Sequence, residues 1–165
     1  MPASDPLSIL LAHDRWATRQ ILDACTKLTH DQFHQRFDLG PGSLHDTLTH
    51  ILGAMRTWTH SLAHQELGPR LEQDPPRSPA ELLTLLDQCS NDFESEATRL
   101  PLDATISRIR EGHTFTFTRG AVLTHVATHG MHHRAQCLNM LRQLGVKPLP
   151  PSSIAEWTRI ADIST

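Results

Sequence analysis

Apolar residues recur every three or four positions in four long segments of the chain, and polar residues occupy most positions between them. This spacing places the apolar side chains on one face of an α-helix. Together with the capping residues at the segment ends, it predicts four long amphipathic helices, at residues 6–27, 43–64, 78–99 and 119–144.

The first three helices each begin with a capping residue. Asp5 precedes Pro6 and Ser78 precedes Pro79, so each pair places an N-cap before a proline at the first helical position. Ser43 is the N-cap of the second helix. These starts are local signals that do not depend on the rest of the fold.

The segments between the helices differ in character. Residues 29–42 and 66–77 are polar and contain glycine or proline, which predicts irregular connections. Residues 105–118 place alternating apolar and polar side chains around a glycine, which predicts a short extended excursion or β-hairpin. Gly145 ends the fourth long helix, and residues 152–163 predict a short last helix.

Four long amphipathic helices imply an all-α fold, a four-helix bundle with a short extended or hairpin excursion before the last long helix. The chain has 165 residues, a length that suits one bundle domain over residues 1–165. Bundles place metal sites between facing helices.

Composition argues against several classes of function. The formal net charge is −3 with histidine neutral, and no dense basic run occurs, so we expect no nucleic-acid surface. No apolar run approaches the ~20 residues of a membrane span. The N-terminus lacks the basic start and apolar core of a secretion signal, which favours a cytoplasmic protein.

Three cysteines, Cys25, Cys89 and Cys137, are widely spaced and form no CxxC pair. We therefore expect no native disulfide. Cys137 lies one turn beyond His133, but a buried apolar filler is the favoured interpretation over a metal ligand. Trp16, at the edge of the first apolar stripe, is likewise interpreted as core packing.

Four of the twelve histidines lie within residues 125–133. At about 100° per residue, His133 falls within the apolar arc of the helix and His129 on its flank. His125 sits further round, and His132 points well away. His129 and His133 thus form an inward pair one turn apart, the separation that lets two imidazoles share one metal ion.

The pair supports two interpretations equally from this helix alone. Histidines on an apolar face are often hydrogen-bonded core residues. Two neutral imidazoles buried side by side cost polar desolvation unless a partner satisfies them, which favours a metal. A metal with an exchangeable position needs a further ligand from elsewhere in the chain.

His50, in the second helix, lies roughly 120° from the centre of its apolar stripe. It shares that side with Gly53, Ala54 and Thr57, whose small side chains leave room for an ion or ligand. Periodicity alone leaves open that His50 is a solvated flank. The same holds for His45, His60 and His64.

Three segments carry a resemblance to a known family. They are residues 11–18, residues 43–54 with Trp58 closing the motif, and residues 125–136. Together they resemble the DinB/YfiT-like family of metal-binding four-helix bundles over nearly the whole chain. The third segment is the most specific, because His-x3-His followed by Arg-small-Gln is the family's signature. Here Ala135 stands where the family usually has glycine.

The resemblance implies an up-down-down-up bundle, a homodimer and a divalent ion held by His50, His129 and His133. Three imidazoles leave at least one open coordination position, as in catalytic zinc sites. Imidazole suits zinc, nickel and iron alike, so the metal itself does not follow.

Two classes of function are compatible with this resemblance. The first is a metal-dependent enzyme acting on a small molecule, either an S-transferase that uses a low-molecular-weight thiol or a hydrolase. The second is a non-catalytic metal-binding stress-response protein whose ion is structural. A third candidate, DNA binding, is poorly supported by the acidic balance. No catalytic acid or base is identified: His125, Gln136 and His13 are the reachable candidates, and packing or ligand support is the favoured interpretation of each.

Overall fold

The computed structural model of the protein describes residues 5–163. Its helices and strands are α1 (Pro6–Cys25), α2 (His30–His34), α3 (Leu44–Leu62), α4 (Pro79–Arg99), β1 (Thr105–Arg110), β2 (His113–Thr118), α5 (Arg119–Gln143) and α6 (Ile154–Ile163). A short 3-10 turn spans Leu71–Gln73. The four long helices are confirmed, each ending within two residues of its predicted bounds, and so are the hairpin and the short last helix.

The predicted caps start the long helices. The Asp5 side chain accepts a hydrogen bond from the Ser8 amide, and Ser78 forms a reciprocal capping box with Glu81. The prediction of an irregular connection at residues 29–42 was wrong in part, because α2 lies within it. This helix has only five residues, too few for an apolar period, and its signal is the capping box between Thr29 and Gln32.

Helix α3 packs against α4 and α5, and α1 packs against the same two helices. Their apolar faces enclose two groups of buried side chains. The larger group includes Ile21, Leu48, Leu52, Leu86 and Met140. The second lies nearer the hairpin and includes Met55, Phe93, Ile106, Val122 and Val126. The fold is therefore mostly helical, with one small two-stranded sheet.

The hairpin attaches to the helices through one face. Antiparallel pairing sets Ile106 opposite Phe117 and Arg108 opposite Phe115. Ile106 is buried in the core, so the face that it shares with Arg108 is turned toward the helices. The turn contains Glu111 and Gly112, both at positive φ.

A buried ion pair joins α1 to α5. The Arg134 guanidinium contacts the Asp14 carboxylate and also donates to the Thr18 hydroxyl at 3.2 Å. Gly130, one turn before Arg134, leaves the space for this pair, because a Cβ there would lie 2.5 Å from Asp14 Oδ1. The ion pair and the glycine together determine how closely α5 packs against α1.

All three cysteines are free and buried, which confirms the core interpretation. Burial raises the pKa of the Cys25 thiol to about 12 and that of Cys89 to about 11. Trp16, by contrast, is only half-buried and packs on the His13 ring, so its assignment to the core was wrong. Across residues 5–163, none of the helices combines the length and apolar character needed to cross a membrane.

Candidate metal centre

Helices α3 and α5 bring three imidazoles together. His50 comes from α3, and His129 and His133 come from α5, one turn apart as predicted. A ring nitrogen of each lies within 4.8 Å of a ring nitrogen of the other two. In the described part of the chain, this is the group of histidine, cysteine or acidic side chains whose geometry could hold a metal ion.

His50 Nε2 and His129 Nε2 lie 3.2 Å apart. Two nitrogens bound tetrahedrally to one zinc ion lie about 3.3 Å apart, given Zn–N distances of about 2.0–2.1 Å. Without a metal, one nitrogen must carry a proton and donate it to the other. A shift of that proton to the other nitrogen of its own ring leaves two lone pairs facing each other, the arrangement in which both neutral imidazoles can bind one metal ion. The donor set therefore fits a divalent ion.

A carboxylate orients the His50 ring. Glu72, in the 3-10 turn, accepts a hydrogen bond from His50 Nδ1 at 2.9 Å, which leaves Nε2 of that ring facing the other imidazoles. Metal-binding histidines commonly make such a contact through the nitrogen that does not bind the ion. The sequence analysis missed Glu72. Residues 66–77 show no periodic pattern, and nothing in the sequence distinguishes Glu72 from the other two acidic residues of that segment.

Gly53 permits this contact. It is buried one turn after His50, and a Cβ there would lie 3.1 Å from a Glu72 carboxylate oxygen and 3.2 Å from Leu71 Cβ. The small residues beside His50 were predicted to leave room for an ion or ligand. At Gly53 the room is instead taken by the 3-10 turn, which delivers Glu72 to His50.

Gln136 supports the second ring. Its Oε1 accepts a hydrogen bond from His133 Nδ1 at 2.8 Å, and its Nε2 donates to His132 Nε2 at 3.1 Å. Gln136 thus holds the His133 ring with its other nitrogen free. His132 is exposed and lies outside the metal-compatible group, as the helical wheel predicts. Ala135 is exposed.

The surroundings of His129 and His133 lower the pKa of both rings and favour their neutral form. Burial, followed by the neighbouring imidazoles His133 and His50, lowers the pKa of His129 from 6.5 to about 4. Burial also lowers the pKa of His133, against the opposing effect of its bond to Gln136. Neutral imidazole is the form that binds metal, so both rings are ready to act as ligands near pH 7.

The other candidate residues lie outside the cluster. His125 packs between Trp58 and His129, with ring centroids 5.4 and 5.6 Å away. His13 is buried elsewhere, with Nε2 bonded to the Ser152 carbonyl at 2.9 Å. His45, considered as a solvated flank, is buried and bonds Asp46. His64 is exposed and His60 is half-buried.

A cavity of about 390 Å³ opens beside the cluster. Its wall includes His50 and Glu72 together with His45, Thr49 and Arg77. The His50 side chain is 35% exposed, so one side of the imidazole cluster can be reached from solvent. The cavity therefore gives a small molecule access to the His50 ring.

Comparisons with known proteins agree with this fold. The sequence model of the DinB family matches residues 3–158. The crystal structure of the DinB-like protein YjoA from Bacillus subtilis superposes with a TM-score of 0.62 at 17% identity, covering 87% of this chain and 96% of that one. At this identity the superposition shows the fold alone. A comparison with curated proteins found no match to this chain.

Proposed function

The chain belongs to the DinB family, and on that premise we propose that it binds one divalent metal ion through His50, His129 and His133. The observation that carries this proposal is the convergence of three ring nitrogens from two helices within 4.8 Å. Zinc, nickel and iron all suit a site of three imidazoles.

The surrounding residues support a site with an exchangeable position. Glu72 and Gln136 each hold an Nδ1 proton of a ligand ring, which directs the Nε2 atoms toward one another. Three protein ligands leave at least one position for water or substrate. A divalent ion there would acidify a bound water or thiol.

We propose that the site serves an enzyme acting on a small molecule, as a thiol S-transferase or a hydrolase. The cavity beside His50 and the accessibility of that ring favour an exchangeable position over a closed structural site. The second candidate is a non-catalytic metal-binding stress-response protein. It is favoured by the lack, among the described contacts of the three rings, of a general acid or base other than the ring-supporting Glu72.

The metal assignment is tested by measuring bound metal in four single variants of the purified protein. We expect His50→Ala, His129→Ala and His133→Ala each to lower affinity sharply. His132→Ala is the matched control on the same helix and should retain the ion. If His132→Ala strips the metal while His129→Ala keeps it, the assigned face is wrong. If His50→Ala alone retains full metal, α3 does not supply a ligand.

The two functional classes are separated by turnover. Metal-loaded protein is offered a panel of low-molecular-weight thiols with electrophiles, and a panel of small hydrolysable esters and amides. Turnover that disappears both on chelation and in His129→Ala supports the enzyme. Metal-dependent thermal stabilisation without turnover on either panel supports the structural ion.

We further propose an up-down-down-up arrangement of the four long helices, a homodimer and residence in the cytoplasm. The pairing of α3 and α1 with the same two helices supports a packing of four helices, and family membership is the basis for the helix directions. Family membership is the basis for the dimer. Sedimentation of a clean monomer at micromolar concentration would contradict the dimer, and fractionation of cells tests the location.

A further inference from the structure

A second cavity, of about 400 Å³, lies between the β-hairpin and α3. Its wall combines cationic and aromatic side chains. These are Arg70, Arg108, Arg110, Trp58, Phe115 and Phe117, and the aliphatic Ile109 completes the lining. Within the described residues, no aspartate or glutamate lines this arginine–aromatic cavity. The cavity is separate from the one beside His50, and the metal proposal makes no use of it.

The hairpin register places the arginines in the cavity. Side chains alternate along a strand, so Arg108 and Arg110 share the face of Ile106, which is buried against the helices. On that face Arg108 lies over the Trp58 ring, with Cζ 4.4 Å from the centroid. Phe117 packs nearly perpendicular to the same ring, with ring centroids 5.6 Å apart. The stacked guanidinium keeps its N–H groups for another partner.

The positive charge of this cavity is largely uncompensated. In the described part of the chain, Arg70 and Arg108 form no ion pair, whereas Arg134 and Arg19 both contact carboxylates. Arg110 reaches only Glu111, at 3.4 Å, and both of those side chains are 80% exposed, so that pair is weak. Burial and the nearby Arg110 charge lower the pKa of Arg108. An anion bound in the cavity would compensate the positive charge and would favour the charged form of Arg108.

Aromatic contacts connect this cavity to the histidine cluster. Trp58 lies between the two, with Arg108 on its face and the His125 ring 5.4 Å from its centroid. His125 in turn lies 5.6 Å from His129. Successive contacts thus run from the arginine–aromatic cavity through Trp58 and His125 to His129.

We propose that the arginine–aromatic cavity binds the anionic group, a carboxylate or a phosphate, of a small organic molecule whose apolar body rests on Trp58 and Phe117. This inference rests on the proposed function, and it identifies the substrate of the enzyme at the histidine site as an organic anion. Charge complementarity with the unpaired Arg70 and Arg108 selects this class. The net charge of −3 disfavours a polyanion such as RNA.

The test uses Trp58 as the reporter. The chain has three tryptophans, so replacing Trp16 and Trp157 by Phe leaves Trp58 alone. Metal-free protein is titrated with phenylacetate, phenyl phosphate and the neutral phenylacetamide. We expect a saturable fluorescence change with at least one anion, weakened by salt, and none with the amide. Calorimetry on the unsubstituted chain repeats the measurement without tryptophan replacement.

Arginine variants locate the site. Arg70→Gln should weaken anion binding about tenfold or more, because a charge-assisted hydrogen bond is lost. Arg142→Gln removes the same charge from an exposed position on α5 and should leave affinity unchanged. Binding of phenylacetate alone assigns the site to carboxylates, and binding of phenyl phosphate alone assigns it to phosphates.

Three results would overturn the proposal: no saturable binding of either anion, equal binding of phenylacetamide, or no loss of anion binding in Arg70→Gln. The titration is made without metal, so it stands or fails independently of the histidine site. For the substrate claim, Arg70→Gln should raise KM for an anionic substrate with kcat little changed. An unchanged KM, or turnover of neutral analogues only, would refute that claim while leaving metal binding intact.

Discussion

Replacing Gly130 by alanine should destabilise the protein, although alanine is the better helix former. Gly130 lies on α5 between the two histidines that face His50, and it is buried against α1. A Cβ there would lie 2.5 Å from Asp14 Oδ1 and 2.8 Å from Arg134 Nη1. Contacts this short force the carboxylate and the guanidinium apart, or push α5 away from α1.

The magnitude follows from what the methyl group displaces. A hydrogen bond between charged groups contributes about 1.5–3 kcal/mol, and overpacking a buried site costs about 1–3 kcal/mol. Alanine's higher helix propensity offsets about 1 kcal/mol of this. We therefore expect the free energy of unfolding of Gly130→Ala to fall by about 1.5–5 kcal/mol.

Gly120→Ala is the matched control on the same helix. A Cβ at Gly120 meets the Leu102 carbonyl at 3.4 Å and its Cβ at 3.5 Å, which are ordinary contacts. That variant should be neutral or more stable by up to about 1 kcal/mol.

Urea unfolding followed by circular dichroism, in chelator so that no metal contributes to stability, measures both variants. Gly130→Ala as stable as Gly120→Ala would refute the argument that the glycine makes room for the buried ion pair.

Three further predictions follow from the site and core. Glu72→Gln should weaken metal binding about tenfold to a hundredfold without unfolding the protein, because the His50 ring loses its carboxylate partner; unchanged affinity in a competition titration would contradict this. The buried cysteines should react with a thiol reagent at pH 8 only after denaturant is added, since burial raises their pKa values; rapid reaction of the native protein argues against that burial. Metal-free protein should lose stability as pH falls from about 6.5, the ordinary histidine pKa, toward about 4, because the unfolded chain then binds a proton that the half-buried His129 of the folded protein does not. The urea midpoint of His129→Asn should fall less over that interval, and identical pH profiles would count against the lowered pKa.

Features that depend on near neighbours in the chain were predictable from sequence. Helix starts at Pro6 and Pro79 follow from residues within one turn, and the inward pairing of His129 with His133 follows from helical geometry alone. The hairpin was predictable for the same reason, since alternation around Gly112 is a local pattern.

Assignments that depend on distant residues required the tertiary structure. On the helical wheel His50 was equally compatible with a solvated flank, and it joins the α5 pair only because α3 packs beside α5. The family resemblance predicted His50 as a metal ligand, whereas the periodicity of the apolar residues did not. His45, which has a similar position at the edge of its stripe, is buried instead against Phe33 and Asp46.

The sequence by itself therefore determined the long helices, their caps and two of the three clustered imidazoles. The tertiary structure decided which loop residue accepts a hydrogen bond from the third imidazole, that of His50. Glu72 reaches His50 across 22 positions of chain because Gly53 lets the 3-10 turn lie against α3. The hairpin arginines likewise meet Trp58 only after strand and helix pack. Such contacts leave no repeating pattern in the sequence, because a loop or strand residue can meet any helix that packing brings within reach.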